Sequence, residues 1–293
     1  MLGYKLARMK KGYVFILPAF LLLFLLFIFP LVSTFVLSLF ETNLVNKWNF
    51  VFFKNYLSFL QDRDFWESLR ITLTFAFGVV AGHFLLGMSF ALLLNLKIPG
   101  RLIFRLLLLI PWIVPEIVTA LTWSWMYNTT YGVINDLLLK LKLVSSPVSW
   151  IGDPTLALPS LMLVAIWKGY PFVMMTLLAG LQSIPLELYE AAEIDGASGW
   201  SKFFCITLPG LRGVILITAI LDSMWWFKHF TIIYAMTGGG PVRATEVLSI
   251  SVYRNAFQGL KFGYASALAV FIFLVCVGIA TIYQRILRRG EQA

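Results

Sequence analysis

The amino-acid sequence predicts an all-α integral membrane protein with about six transmembrane helices. Three observations predict it. Of 293 residues, 60% are hydrophobic and 13% charged, with a mean hydropathy of +0.85, whereas a soluble globular chain carries roughly 25% charged residues. The apolar residues gather into six runs, each near or above the length of about 20 residues that a helix needs to cross a bilayer. The runs are continuous and not alternating. They therefore read as helices, which bond their backbone internally where lipid offers no partner, and not as barrel strands.

The first run, Tyr13–Phe40, contains Pro18 and Pro30, where bends are expected. It follows a basic start, Met1 to Lys11. A signal peptide's apolar core is only about 7–15 residues, so this run reads as a retained helix. The others are Ile71–Leu94, Leu106–Tyr127, Thr155–Leu181, Gly213–Met236 and Phe262–Tyr283. The whole chain, 1–293, reads as one transmembrane domain with a cytoplasmic loop at 183–209.

Lysine and arginine set the orientation, because their excess marks cytoplasmic loops. Lys5, Arg8, Lys10 and Lys11, then Lys97, Arg101 and Arg105, then Arg285, Arg288 and Arg289 fall on one side of a six-span chain. On the other side, Lys47, Lys54, Arg63 and Arg70 are balanced by Glu41, Asp62, Asp64 and Glu67, and Lys140 and Lys142 by Asp136 and Asp153. Both termini are expected in the cytoplasm. Topology thus accounts for the net charge of +9, and no nucleic-acid partner is expected. Cys205 and Cys276 lie in or beside apolar runs, without the spacing of a metal site, a redox motif or a disulfide framework, so no metal site is read.

The segment Gln182–Arg212 is the most informative. It reads Ile184-Pro185-Leu186-Glu187-Leu188-Tyr189-Glu190-Ala191-Ala192-Glu193-Ile194-Asp195-Gly196-Ala197 and continues through Trp200, Phe203 and Phe204 to Leu208-Pro209. Pro185 suits the first turn of a helix and Glu187 its positive end. Ile184, Leu188 and Ala191 or Ala192 share a face, and Gly196 can turn the chain at positive φ. The spacing predicts a short helix–turn–helix at the membrane surface. By spacing alone, a linker packed on its own neighbours stands beside an interaction element.

Glu190-Ala191-Ala192, Asp195-Gly196-Ala197 and Ile206-Thr207-Leu208-Pro209 resemble the EAA loop of ABC-importer permeases, with Gly213 standing where the family often has proline. Further along, Thr237-Gly238-Gly239-Gly240-Pro241 and Gly263-Tyr264-Ala265-Ser266-Ala267, with Gly132-Val133-Ile134-Asn135 and Leu178 to Pro185, are similar to the MalF type of carbohydrate-importer permease. The resemblance runs from roughly Phe53 to the end. It implies the type I importer fold, a bacterial inner-membrane location, and a coupling helix in which Glu190, Ala191, Ala192, Asp195 and Gly196 meet an ATPase. It implies as partners a second, MalG-like permease, two ATP-binding subunits and an extracytoplasmic sugar-binding protein. The three glycines before Pro241 lack the Gly-Lys-Ser/Thr ending of a phosphate loop. The chain itself is therefore expected to hold no cofactor, with ATP and Mg bound by the partner subunits.

Ionisable groups within membrane spans are costly and usually face a cavity or a partner. On the expected fifth helix, Asp222, Trp225, Trp226 and His229 fall at i, i+3, i+4 and i+7, one helical face. A carboxylate accepts from sugar hydroxyls, and an indole offers an apolar face to the ring. Lys168 and Phe172, at i and i+4 on the fourth helix, are placed to line the same cavity. The resemblance puts substrate contacts at Gly169, Phe172, Asp222, Trp225, Trp226 and His229. Structural readings stand beside these: an Asp222–Lys168 ion pair between helices, tryptophans that only pack, an interface role for His229, and structural roles for Glu116, Lys228 and His83.

The expected function is that of a permease subunit translocating a sugar, a di- or oligosaccharide. The alternatives are an acidic sugar, a polyol or a glycerophosphodiester, which Lys168 and Lys228 keep open. A membrane-embedded enzyme acting on lipid-linked sugars would need a nucleophile–base set, a metal cluster or a phosphate loop. None is visible, and no catalytic residue is assigned.

Overall fold

The computed structural model describes residues 15–96 and 99–290, with side chains to 286. The cations Lys5, Arg8, Lys10, Lys11 and Lys97 fall outside those positions, and the side chains of Arg288 and Arg289 lie outside the described ones. The helices are α1 (Phe15–Ser38), α2 (Lys54–Gln61), α3 (Arg63–Asn95), α4 (Arg101–Ile113), α5 (Glu116–Met126), α6 (Val133–Lys140), α7 (Ala157–Ser183), α8 (Leu186–Ile194), α9 (Gly199–Gly210), α10 (Arg212–Phe227), α11 (Thr231–Thr237), α12 (Leu248–Tyr253) and α13 (Phe262–Gly290). Among the described residues, four helices are long and apolar enough to cross a membrane as they stand, and six spans result if the bent pairs α4–α5 and α9–α11 each count as one. All six expected spans are therefore helical, two of them broken.

The chain divides into two compact units. The first contains residues 1–62 and 252–273. In it α1 buries none of its apolar window, as a lipid-facing helix would. A short antiparallel pair, β1 (Phe40–Thr42) with β2 (Trp48–Phe50), follows, an addition to the expected all-α fold. Its turn is organised by Asn43, whose Oδ1 accepts from the backbone N–H groups of Val45, Asn46 and Lys47. Buried Asn55 donates to the carbonyls of Ser38 (2.8 Å) and Phe40 (2.9 Å), fixing the exit of α1.

The second unit contains residues 63–251 and 274–293. Its axis is α7, the most buried span, which packs along α3. Between membrane helices, close approach of backbones substitutes for hydrophobic drive. Gly82 and Gly87 of α3 supply it: a Cβ there would come within 2.5 Å of Ile166 and 2.9 Å of Met174 on α7. One cluster along this seam gathers Phe75, Val79, Leu161, Val164, Trp226 and Ile233; a second gathers Ala91, Met174, Leu177, Leu181 and Leu211.

Candidate functional site

Four elements of the second unit line an open cavity of about 430 Å3. Its wall is made by Trp112 at the end of α4, Glu116 at the start of α5, Lys168, Gly169 and Phe172 of α7, and Leu221, Asp222, Trp225 and Trp226 of α10.

The α4–α5 wall is a helix turned through 92°. Pro111 lies in the last turn of α4 and Pro115 caps α5. Proline has no N–H, so the Pro111 carbonyl has no donor four residues on. The donor comes from α7. Lys168 is 7% exposed. Its Nζ donates to the carbonyls of Pro111 (3.0 Å), Trp112 (2.9 Å) and Val114 (2.5 Å). A cation suits the negative end of a helix. The Tyr170 hydroxyl donates to Leu108 O at 3.0 Å. The Asp222–Lys168 ion pair weighed from sequence is therefore replaced: all three ammonium donors end on backbone carbonyls.

Asp222 pairs instead with His83 of α3. Its Oδ2 lies 2.8 Å from His83 Nδ1, while His83 Nε2 lies 3.0 Å from Ala165 O. The ring is 0% exposed and Asp222 3%. The two tryptophans separate. Trp226 is buried, edge-on to His83 with centroids 5.2 Å apart and tilted over His229 at 4.4 Å. Trp225 is 58% exposed on the cavity wall.

Of the seven residues singled out from sequence for substrate, Lys168, Gly169, Phe172, Asp222, Trp225 and Trp226 line the cavity, and His229 does not. The expected continuous helix Gly213–Met236 is interrupted: α10 ends at Phe227 and α11 begins at Thr231. His229 sits in the break, its carbonyl accepting from Ser249 Oγ at 2.6 Å. It cannot continue the face of Asp222 through helical spacing. Glu116, weighed as structural, is on the wall. From sequence His83 reads as structural, and no spacing relation joins it to Asp222, 139 residues away.

The expected helix–turn–helix is also present. Pro185 caps α8, with Glu187 in its first turn. The helix ends in a Schellman motif: Gly196 N–H donates to Glu193 O (3.0 Å) and Ala197 N–H to Ala192 O (2.8 Å), with Gly196 at φ +73°. A Cβ on Gly196 would meet nothing within 4 Å. Ser198 caps α9. Lys202 of α9 bonds Glu193 at 2.7 Å, and that bond and its charge hold Glu193 below the usual carboxylate range. Glu190, Ala191, Asp195 and Gly196 are exposed and Ala192 half-buried. Leu186, Ile194, Trp200 and Phe204 present apolar side chains around them.

The profile of the family described as "Binding-protein-dependent transport system inner membrane component" matches residues 83–291. The trehalose/maltose transport system permease protein MalF of Thermococcus litoralis is 40% identical over 283 residues, covering 96% of this chain and 95% of that one. The sulfoquinovosyl glycerol transport system permease protein SmoG of Agrobacterium fabrum is 36% identical over 94% of this chain and 89% of its own. Among solved structures, a chain of a bacterial ABC transporter for import of the acidic polysaccharide alginate superposes with a TM-score of 0.85 at 22% identity, over 98% of both chains, a likeness of fold. The chain belongs to the binding-protein-dependent transport system inner membrane component family: it is a multi-pass membrane permease subunit of an ATP-binding-cassette importer, a transport protein and not an enzyme.

Proposed function

We propose that this permease passes a sugar, a di- or oligosaccharide, through the cavity beside Asp222. The observation that carries the reading is the wall itself. A carboxyl group with one oxygen uncommitted among the described residues stands beside the exposed Trp225 indole and Phe172 in a space of about 430 Å3, within the range of small-ligand pockets, roughly 300–1,000 Å3. Asp222 would accept from hydroxyls while Trp225 covers the apolar ring face. Gly169 and Trp226 complete the wall, and His229 supports Trp226 from behind. The names of the two relatives, for trehalose/maltose and sulfoquinovosyl glycerol transport, support the glycoside class. An anionic solute is less well served, because Lys168 has its three donors on carbonyls.

In this reading the chain acts as one permease domain, 1–293, with both termini in the cytoplasm and the loop at 183–209 as its coupling element. Glu190, Ala191, Ala192, Asp195 and Gly196 dock on one of two ATP-binding subunits, which hold ATP and Mg. A second, MalG-like permease completes the path, and an extracytoplasmic binding protein delivers the sugar. The exposed apolar rim of the loop supports docking. The test is ATP hydrolysis by the complex reconstituted in liposomes with its binding protein, screened over neutral disaccharides and oligosaccharides, acidic sugars, polyols and glycerophosphodiesters. Stimulation by a neutral di- or oligosaccharide is expected. Stimulation by a polyol or glycerophosphodiester alone would overturn the sugar assignment.

A further inference from the structure

We infer that His83, which lies behind the cavity wall, is the positioning residue of the substrate site and fixes which oxygen of Asp222 the cavity is offered. The inference rests on the reading of this cavity as the sugar path.

Hydrogen-bond accounting comes first. A carbonyl oxygen only accepts, so His83 Nε2 carries a proton and donates it to Ala165 O at 3.0 Å. The 2.8 Å contact between Nδ1 and Asp222 Oδ2 then needs a second proton, on one atom or the other. Placed on Nδ1 it gives an imidazolium beside a carboxylate; placed on Oδ2 it gives a neutral imidazole accepting from a carboxylic acid. The proton count is the same, and the pair carries no net charge. A lone carboxylate inside a membrane is costly; His83 removes that cost without filling the cavity.

The geometry then divides the two carboxyl oxygens. Oδ2 is committed to His83. Oδ1 accepts no hydrogen bond from the described residues, and Asp222 is on the wall. A carboxyl torsion is broad and two-fold when nothing holds it. With one oxygen anchored, the other stays aimed as an acceptor.

The packing is arranged around the ring. Ala165 and Gly169 are one turn apart on α7 and share a face. A Cβ on Gly169 would lie 2.3 Å from His83 Cε1 and 2.4 Å from Nε2, and 2.9 Å from Trp226 Cζ2. Only glycine leaves room for the ring at this height. Trp226 closes another side, edge-on at 63°. Two residues with expected sugar contacts, Gly169 and Trp226, thus hold His83.

The two ring nitrogens can be tested apart. In His83→Asn the amide stands near the place of Nδ1 and keeps a donor toward Asp222. In His83→Gln it stands near the place of Nε2, keeping Ala165 and leaving Asp222 unheld. Gly169→Ala leaves the histidine but displaces its ring. Each variant is assembled with its ATP-binding subunits and binding protein in liposomes. ATP hydrolysis is titrated with maltose, trehalose and diacetylchitobiose. Loss of a charge-assisted bond predicts a rise of about tenfold or more in the half-saturating sugar concentration for His83→Gln and Gly169→Ala, with a much smaller fall in maximal rate, and a rise of no more than about threefold for His83→Asn. A residue that merely fills space predicts the reverse order, because asparagine is the smaller. Equal values for Asn and Gln, or half-saturation within about twofold of the unmodified complex for His83→Gln or Gly169→Ala, would overturn the inference. Should His83→Gln not assemble, His83→Asn against Gly169→Ala decides. If none of the three sugars stimulates the unmodified complex, the reading of the cavity as a sugar path falls, and this role for His83 with it.

Discussion

Replacing Lys168 with methionine keeps the unbranched side chain as far as its ε position and removes the ammonium from the bend between α4 and α5. The carbonyls of Pro111, Trp112 and Val114 then lose their shared donor. A hydrogen bond to a charged group contributes roughly 1.5–3 kcal/mol, so the three bonds are substantial together. Against them stands the cost of a lysine within a span, about 2.5–3.5 kcal/mol on insertion scales, which the variant no longer bears. A cavity water has two protons to donate and cannot bond all three carbonyls, which leaves an expected net loss of roughly 2–4 kcal/mol. Lys168→Arg keeps the charge, but its planar fork does not match three carbonyls converging on a point, so an intermediate loss is expected. The assay is equilibrium unfolding of the purified complex in lipid nanodiscs. Lys168→Met within about 0.5 kcal/mol of the unmodified protein would refute the claim that Lys168 holds the bend.

Gly196 at φ +73° tests the coupling loop. Gly196→Leu costs about 1–2 kcal/mol locally, places its Cβ where nothing of the chain lies within 4 Å, and is expected to abolish transport while the subunit still inserts; Gly196→Asn, which tolerates this conformation, is expected to retain more. Normal transport by assembled Gly196→Leu would show that the loop does not dock there. Trp225→Ala is expected to weaken sugar stimulation with little change in stability, whereas Trp226→Ala, emptying a buried site, should destabilise by about 3–5 kcal/mol; sugar titration and unfolding on both variants separate the roles. Impermeant thiol labelling of single cysteines at Lys140 and Gln292 is expected from outside for the first alone, and labelling of the second in intact cells would reverse the orientation.

The six spans were legible because each is a continuous apolar run, and the loop was legible because its cap, acidic first turn and glycine stop are local. The breaks were harder. Pro111 and Pro115 stand in the third run, yet the 92° turn also depends on Lys168, 53 residues after Pro115, to satisfy the carbonyls it frees. The break after Phe227 contains no proline and is supported by Ser249, 20 residues on. Helical spacing grouped Asp222 with Trp225, Trp226 and His229. The fold divides that group into an exposed indole, a buried indole, a carboxyl on the wall and a histidine off the helix. His83 was out of reach because its meaning lies in a contact across three helices. The β1–β2 pair, three residues on each strand, is too short for a period to show.

A structure of the assembled importer trapped with sugar bound tests the placement of the path most directly. The expected result is a sugar hydroxyl within hydrogen-bond reach of Asp222 Oδ1, a ring face against Trp225 or Phe172, and His83 still holding Oδ2. Sugar resolved more than about one side-chain length from Asp222, Trp225, Trp226 and Phe172 alike would contradict it.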